Sequence, residues 1–562
     1  MTVPRIVIVG GVAAGPKAAA KITRLAPDAD VTIIEKGVFL SYAGCGLPYY
    51  VSGVVPDQAD LMSTPAGALR DEIFFLNVKN VHVHSRTLAT AVERDARLVH
   101  TRDLQTGEER ALPYDKLILA TGAEPVVPPF PGRELRNVVT LHGVEDAELM
   151  RALLSERRAP DVVIVGGGLI GVEITEALVA SGCRVSIVER LPHILSPLDG
   201  EMAWQVEAHL KSHGVKVLTA ESVTELEPAE DDASRVGGVL TTAGRLPADL
   251  VVIAAGVRPT TELAVTCGLA VGETGAIRVD DHLRTSDPDI FAVGDCAESV
   301  NIVTGRPAYV PLGSTANKQG RVAAVNAVGG DETFPGILGT SICKVFDFTV
   351  GVTGLTQRDA EDIGYDVEIA LSPAPDKPHF MPDARMLMLK AVSDRSTRRL
   401  LGLQAVGPGD AAKALDVAAM ALHAGMTMDQ LSKVDLAYAP PYSPAMDNVI
   451  TASDVVRNKL DAVVSALPAA EVKRRLDAGE PLFLLDVRSP AEVAQVGIPG
   501  AVNIPLAQLR DRVDELPVDR PVVTFCKISL RGYEAALIAA AAGRDARYMD
   551  GGLVMWPYEK TS

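Results

Sequence analysis

Two of the six cysteines in this 562-residue chain stand where a sulfur could do chemistry. Cys45 lies in Ser41-Tyr42-Ala43-Gly44-Cys45-Gly46-Leu47-Pro48-Tyr49, ten residues beyond Glu35. Glycine on either side leaves its sulfur clear of side-chain bulk, and Pro48 suits the first turn of a helix. A helix start or a nearby positive charge favours thiolate over the ordinary thiol pKa of about 8.5. Cys526 follows the apolar run Pro521-Val522-Val523-Thr524-Phe525 and opens a helix. A loop bent around it aims backbone N–H groups at the sulfur, and Arg531 closes that cradle with a fixed positive charge. Cys183, Cys267, Cys296 and Cys343 are scattered and no C-x-x-C pair occurs, so neither a disulfide framework nor a zinc site is expected. Each special sulfur works singly, through a mixed disulfide, a persulfide or a sulfenic acid.

Two glycine loops must position these groups. The first runs strand, turn, helix, strand: Arg5–Val9, then Gly10, Gly11 and Gly15, then a helix, then a strand closed by Glu35. The second repeats the grammar with Gly166-x-Gly168-x-x-Gly171 and an acid, Glu189, 23 residues after Gly166. The first glycine of such a set allows the tight turn, the second lets backbone approach a pyrophosphate, and the third lets helix pack on strand. The pyrophosphate then meets the positive end of the helix dipole. An acid at the end of the following strand accepts from ribose hydroxyls and favours NADH, while Arg190 beside it leaves NADPH open. Val12 stands where the first loop would carry its second glycine. Two later runs complete a flavin-type site. In Thr285-Ser286-Asp287-Pro288-Asp289-Ile290-Phe291-Ala292-Val293-Gly294-Asp295 the last residue can bind a ribityl chain, and Ala120-Thr121-Gly122 closes a strand where the chain crosses between domains.

Length and charge set the frame. A chain this long exceeds one hydrophobic core, so several domains are expected. A net charge of −18 argues against nucleic acid as a partner. No apolar run is long enough to span a bilayer, and the N-terminus enters a strand-like run without the features of a signal peptide, so a cytoplasmic protein is expected. Residues from about 335 to 450 mix short strands with the helical pattern Ala411–Gly425. Residues 468–562 alternate helices with short buried strands, which predicts a small parallel sheet.

With these motifs in order, residues 1 to about 450 resemble the two-dinucleotide flavoprotein disulfide reductases. The resemblance implies FAD in the first unit, held by Gly10, Gly11, Gly15, Glu35, Ser41, Thr121, Gly122 and Asp295. It implies NADH, with NADPH possible, in the second, held by Gly166, Gly168, Gly171 and Glu189. Members with an internal redox pair carry two cysteines five positions apart; here position 50 is Tyr and position 40 is Leu. The chain is therefore similar to the single-cysteine branch of coenzyme A-disulfide and NADH-dependent persulfide reductases. Gly44 replaces the Asn usual before that cysteine, and the first loop lacks the histidine of peroxide- and oxygen-reducing relatives. The branch implies a homodimer with composite sites, in which Tyr438 and Tyr365 assist the leaving thiolate. Lys21, Arg24, Asn301 and Arg306 lie where it places contacts to coenzyme A.

Residues 468–562 resemble a rhodanese module, through Leu485-Asp486-Val487-Arg488, Ile498-Pro499-Gly500-Ala501, Gly551-Gly552-Leu553 and the Cys526 loop. Ser529 stands where a loop glycine is common, and Gly497 where a histidine is frequent. The fold expected is α/β: two Rossmann-like domains, an α+β dimerisation domain and a C-terminal α/β rhodanese domain. The boundaries expected are 1–112 with 255–332 for FAD, 113–254 for NAD(P)H, 333–450 for dimerisation, 451–467 as linker, and 468–562. The function expected is FAD-dependent reduction of sulfur–sulfur bonds by NAD(P)H at Cys45, on coenzyme A disulfide, coenzyme A persulfide or polysulfide, coupled to sulfur carried on Cys526. An NADH oxidase or a non-enzymatic redox sensor is the alternative. No metal is expected, no nucleic acid and no membrane.

Overall fold

The computed structural model describes residues 4–156 and 159–561. They form two compact units, residues 1–194 with 213–337 and residues 195–212 with 338–562.

In the first unit, Arg5–Val9 is the centre of a five-stranded parallel sheet ordered Ile290–Ala292, Lys116–Leu119, Arg5–Val9, Asp30–Ile34, His82–His84. The near-continuous apolar run of the central strand follows from burial of this sheet on both faces, by helices on one and chiefly by the antiparallel strands Thr87–Glu93 and Leu98–Asp103 on the other. Helix Ala14–Leu25 buries Ala14, Ala18, Ala19 and Ile22 against it; a buried isoleucine contributes about 1.5–3 kcal/mol. A second parallel sheet has the same plan around Asp161–Val165, ordered Lys216–Leu218, Arg184–Val188, Asp161–Val165, Leu250–Ile253, Val138–Val139. In both, the strand order reverses at the strand that feeds the glycine loop, which is where such sheets open a crevice for ligand. Ala123–Pro125 pairs with Val257–Pro259 where the chain crosses between the sheets.

The sheet register moves one expected boundary. Lys116–Leu119 pairs with Arg5–Val9 and Ile290–Ala292, so the chain stays in the first sheet past residue 113.

In the second unit, five antiparallel strands run Ser341–Val345, Phe348–Gly354, Leu400–Gly407, Met386–Asp394, Val367–Pro375. Helix Gly200–Ser212, expected within 113–254, belongs to this unit and packs on Leu400–Gly407. Its entry is tied down by a buried charge cluster: Lys390 Nζ lies 2.8 Å from Asp199 and 2.5 Å from Glu201. The linker expected at 451–467 is mostly structured. Helix Asn448–Leu460 buries Val449, Ile450, Ala452 and Val456 and packs on Val367–Pro375, because its apolar face is complementary to that sheet. Ala466–Pro468 is the edge strand of the last sheet, all parallel, ordered Ala466–Pro468, Ala546–Asp550, Val522–Phe525, Phe483–Asp486, Val502–Asn503. Among the described residues no helix is long and apolar enough to cross a membrane.

Candidate functional site

The two glycine loops are built alike to a fine level. Gly10 has φ +118°, and a Cβ on it would meet the Ala120 carbonyl oxygen at 2.0 Å. A Cβ on Gly15 would lie 1.9 Å from the Gly10 oxygen. Glu35 accepts from the Gly11 N–H at 2.6 Å and from the Gly37 N–H at 2.7 Å. In the second loop Glu189 does the same for Gly167 and Leu191, each at 2.7 Å. Gly166 has φ +109° and Gly171 closes on the Gly166 oxygen, whereas Gly168, at the N-cap of helix Leu169–Ala180, faces open space. Each acid thus folds its own loop and keeps lone pairs for an incoming hydroxyl. Both loops end at a helix N-terminus, with the small residues Ala13 and Gly168 at the two N-caps, which fits a dinucleotide pyrophosphate. Arg190 is exposed and forms no ion pair among the described residues.

Asp295 sits in the turn Gly294–Cys296, where Gly294 has φ +74°. Burial pushes its carboxyl up, and its side chain takes no hydrogen bond among the described residues. Thr121 donates to the Thr260 carbonyl at 2.7 Å, and Gly122 has φ +72° in the crossing. Ser41 adopts φ +49° and its N–H bonds the Gly11 carbonyl, tying the cysteine segment to the first loop.

Cys45 occupies the 3-10 turn Gly44–Gly46, immediately before helix Leu47–Val51. Its surface is open, and a Cβ on Gly313, the first residue of helix Gly313–Ala327, would lie 4.0 Å from Sγ. Partial burial, then the carboxyls of Glu173 and Asp295, push the thiol up. Its own backbone N–H acts in the opposite direction, and the N-terminus of Gly313–Ala327 lies close enough to favour thiolate as well. Tyr50, in the place of a second cysteine, is buried with its ring 4.5 Å from the Arg151 guanidinium. Among the described residues Cys45 is a free cysteine.

Three residues of this site escaped sequence reasoning. Glu173, two residues beyond Gly171, is pushed up to about 7 by burial. Tyr309 donates to the Asp295 carbonyl at 3.0 Å, and Tyr42, three residues before Cys45, is pushed up to about 12 by burial and by Glu35. Only their proximity to a motif marked them, and that signal is weak. Other expected residues are placed less decisively. Lys21 is half-buried and Arg24 exposed on helix Ala14–Leu25, and Arg306 is exposed; none forms an ion pair among the described residues. Asn301 is occupied within its own turn, accepting from the Val303 and Thr304 N–H groups at 2.9 and 3.1 Å. In the second unit Tyr365 is half-buried and Tyr438 is 53% exposed.

Cys526 is 1% exposed, at the end of strand Val522–Phe525 and under the start of helix Leu530–Ala541. Its carbonyl accepts from the Leu553 N–H at 2.9 Å, and that of Lys527 from the Val554 N–H at 3.1 Å. Gly552 makes this clip possible, since a Cβ there would meet the Cys526 and Lys527 oxygens at 2.6 and 2.8 Å. Arg531 does not stand free over the sulfur: both its terminal nitrogens bond Glu492, at 2.9 and 2.7 Å, and it also reaches Cys526. Ser529 adopts φ +88°, a conformation that glycine takes at less cost. Gly497 exchanges hydrogen bonds with Thr561, whose side chain fills the space where a larger residue would point.

Residues 4–320 match the pyridine nucleotide-disulphide oxidoreductase family, 340–450 its dimerisation domain, and 468–558 the rhodanese-like domain. An NAD(P)H sulfur oxidoreductase (CoA-dependent) of Pyrococcus abyssi is 39% identical over 453 residues, 80% of this chain and 98% of its own length. A NAD-dependent persulfide reductase from A. fulgidus superposes with a TM-score of 0.93 at 41% identity, covering 98% of this chain and 100% of its own. A reduced Bacillus anthracis CoADR-RHD superposes with a TM-score of 0.91 at 33% identity, covering 99% and 98%.

Proposed function

Since the chain belongs to the pyridine nucleotide-disulphide oxidoreductases, we propose that its Cys45 cleaves the sulfur–sulfur bond of coenzyme A disulfide, coenzyme A persulfide or polysulfide. Membership makes it an NAD(P)H-dependent oxidoreductase of sulfur–sulfur bonds with FAD as its redox group; the acceptor and the residue roles are our reading. FAD, when bound, supplies the two-electron link between nicotinamide and sulfur. Gly10, Gly11, Gly15, Glu35, Ser41, Thr121, Gly122 and Asp295 would hold it; Gly166, Gly168, Gly171 and Glu189 would hold the nicotinamide nucleotide. We read Glu189 as selecting NADH, because a 2′-phosphate would meet its carboxylate.

The observation that carries this reading is the solitary sulfur of Cys45 at a helix N-terminus, with Tyr50 packed where a resolving cysteine would be. Thiolate Cys45 attacks one sulfur of the acceptor; the other leaves as thiolate or hydrosulfide. Cys45 is left in a mixed disulfide or persulfide, and two electrons and a proton from NAD(P)H release the second sulfur and restore the thiol. Tyr438, on the segment matching a dimerisation domain, serves the Cys45 of a second copy by protonating the leaving sulfur, with Tyr365 beside it. Lys21, Arg24 and Arg306 are cations available to coenzyme A phosphates, with Asn301 offering its amide N–H groups. Cys526, clipped by Leu553 and Val554 and backed by Arg531, carries sulfane sulfur: its thiolate attacks a donor, the donor's sulfur–sulfur bond breaks, and a Cys526 persulfide remains.

The test compares steady-state NADH consumption with coenzyme A disulfide, coenzyme A persulfide, polysulfide and oxygen on wild type and Cys45→Ser. Wild type should turn over the sulfur acceptors and the variant none of them, with FAD still bound. Persulfide reduction at the normal rate by Cys45→Ser would end the proposal.

A further inference from the structure

The loop that holds Cys526 is anchored from outside its own domain. Its carbonyls hang on Leu553 and Val554, so the position of Gly551-Gly552-Leu553-Val554 sets the cradle. Both ends of that clip are held by the reductase half. Asp550, immediately before it, is 1% exposed and accepts from Lys459 Nζ at 2.6 Å; Lys459 is itself 6% exposed and also donates to the Ile369 carbonyl at 2.7 Å. The Leu371 N–H reaches the same carboxylate oxygen at 3.3 Å, while Asp550 Oδ1 is buried without a hydrogen-bond partner among the described residues. At the other end the Gln205 side-chain amide donates to the Val554 carbonyl at 3.2 Å. Lys459 lies on helix Asn448–Leu460 and Gln205 on helix Gly200–Ser212, a segment inserted between two strands of the second nucleotide-binding sheet.

We propose that Lys459 and Gln205 are positioning residues for sulfur transfer at Cys526: they clamp the Gly551–Val554 clip, and the clip aims the Cys526 loop. The inference rests on Cys526 acting as a sulfur carrier. The physics is that of a buried carboxylate with one cation. Without the ammonium, Asp550 is left charged and unpaired in a dry site, so it draws water or moves, and the two glycines after it have little stiffness to resist. The carbonyls of Cys526 and Lys527 then lose their fixed donors, and the loop its fixed set of N–H groups around the sulfur.

The test uses the full-length holoenzyme and four variants: Lys459→Met, Lys459→Arg, Gln205→Leu and Cys526→Ser. Two quantities are read: sulfur transfer from thiosulfate to a thiol, and the pH profile of Cys526 alkylation by iodoacetamide. Lys459→Met should lower the kcat of transfer about tenfold and Gln205→Leu about threefold. Both should move the alkylation midpoint upward, by about one pH unit for Lys459→Met, while NADH-dependent reduction at Cys45 stays within about twofold of wild type. Lys459→Arg should recover most of the loss. If Lys459→Met does not fold, Gln205→Leu decides, since it removes only neutral hydrogen bonds, to the Val554 carbonyl and to Met555 Sδ. Unmoved alkylation profiles in both variants would overturn the inference, whereas transfer that survives Cys526→Ser would overturn the carrier role itself.

Discussion

The sulfur of Cys45 lies 4.0 Å from where a Cβ would project from Gly313, the first residue of a 15-residue helix. That helix end and the backbone N–H of Cys45 itself favour thiolate against burial and two carboxyls. An aspartate at a helix start is well tolerated, so Gly313→Asp should fold while setting a third carboxylate beside the sulfur. Reduction of sulfur acceptors at pH 7 should fall about tenfold, and the alkylation midpoint of Cys45 should rise. An unchanged midpoint would mean that the helix end does not govern this thiol. Gly313→Ala, at ordinary contact distance, should be nearly silent.

Glu173 is pushed up from 4.5 to about 7 by burial. A carboxyl raised in the folded state makes the fold bind more protons than the unfolded chain. Stability should therefore decline as pH rises from about 4.5 to 7, with the full cost, at most about 3 kcal/mol, present above that range. Glu173→Gln should remove this dependence in denaturant titrations. Because Glu173 also opposes ionisation of Cys45, the variant should lower the Cys45 alkylation midpoint.

Glu492 is held down to about 2, chiefly by Arg531. The sign is the reverse: its contribution is present above pH 4.5 and lost as pH falls towards 2. Both partners are about one-third exposed, so screening reduces the pair to about 1 kcal/mol. Glu492→Gln should be less stable than wild type at neutral pH and converge with it in acid. Freed of its fork, Arg531 should hold the cradle less well, and sulfur transfer at Cys526 should drop several-fold.

Ser529 carries φ +88° at the N-cap of the helix behind Cys526, and among the described residues its hydroxyl makes one long hydrogen bond, 3.5 Å to the Met549 carbonyl. Ser529→Gly should stabilise the protein by about 0.5–1 kcal/mol, read by denaturant midpoint, without loss of sulfur transfer. Destabilisation would show that the hydroxyl matters more than the backbone strain.

Lys390 is 1% exposed between Asp199 and Glu201. Lys390→Met should cost about 3–5 kcal/mol, because it strands the buried Asp199 carboxylate. Adding Asp199→Asn should recover part of the loss in the same denaturant measurement.

The glycine loops and the two candidate cysteines stand out in the chain because their signals are local. Strand, glycine turn, helix and terminal acid lie within about thirty residues of one another, and the strand before Cys526 declares itself by an apolar run. What the folded molecule alone decided is non-local. Lys116–Leu119 reads as a plain strand, and only pairing with Arg5–Val9 assigns it to the first sheet. Asn448–Leu460 reads as a connection, and only its apolar face against Val367–Pro375 makes it part of a core. The charges acting on Cys45 come from Glu173 and Asp295, 128 and 250 positions away in the chain, and Arg531 is committed to Glu492 across a fold of 39 residues. Spacing along a chain sets which groups can turn together; desolvation and partner choice depend on what packs against them, and that is settled only when distant segments meet.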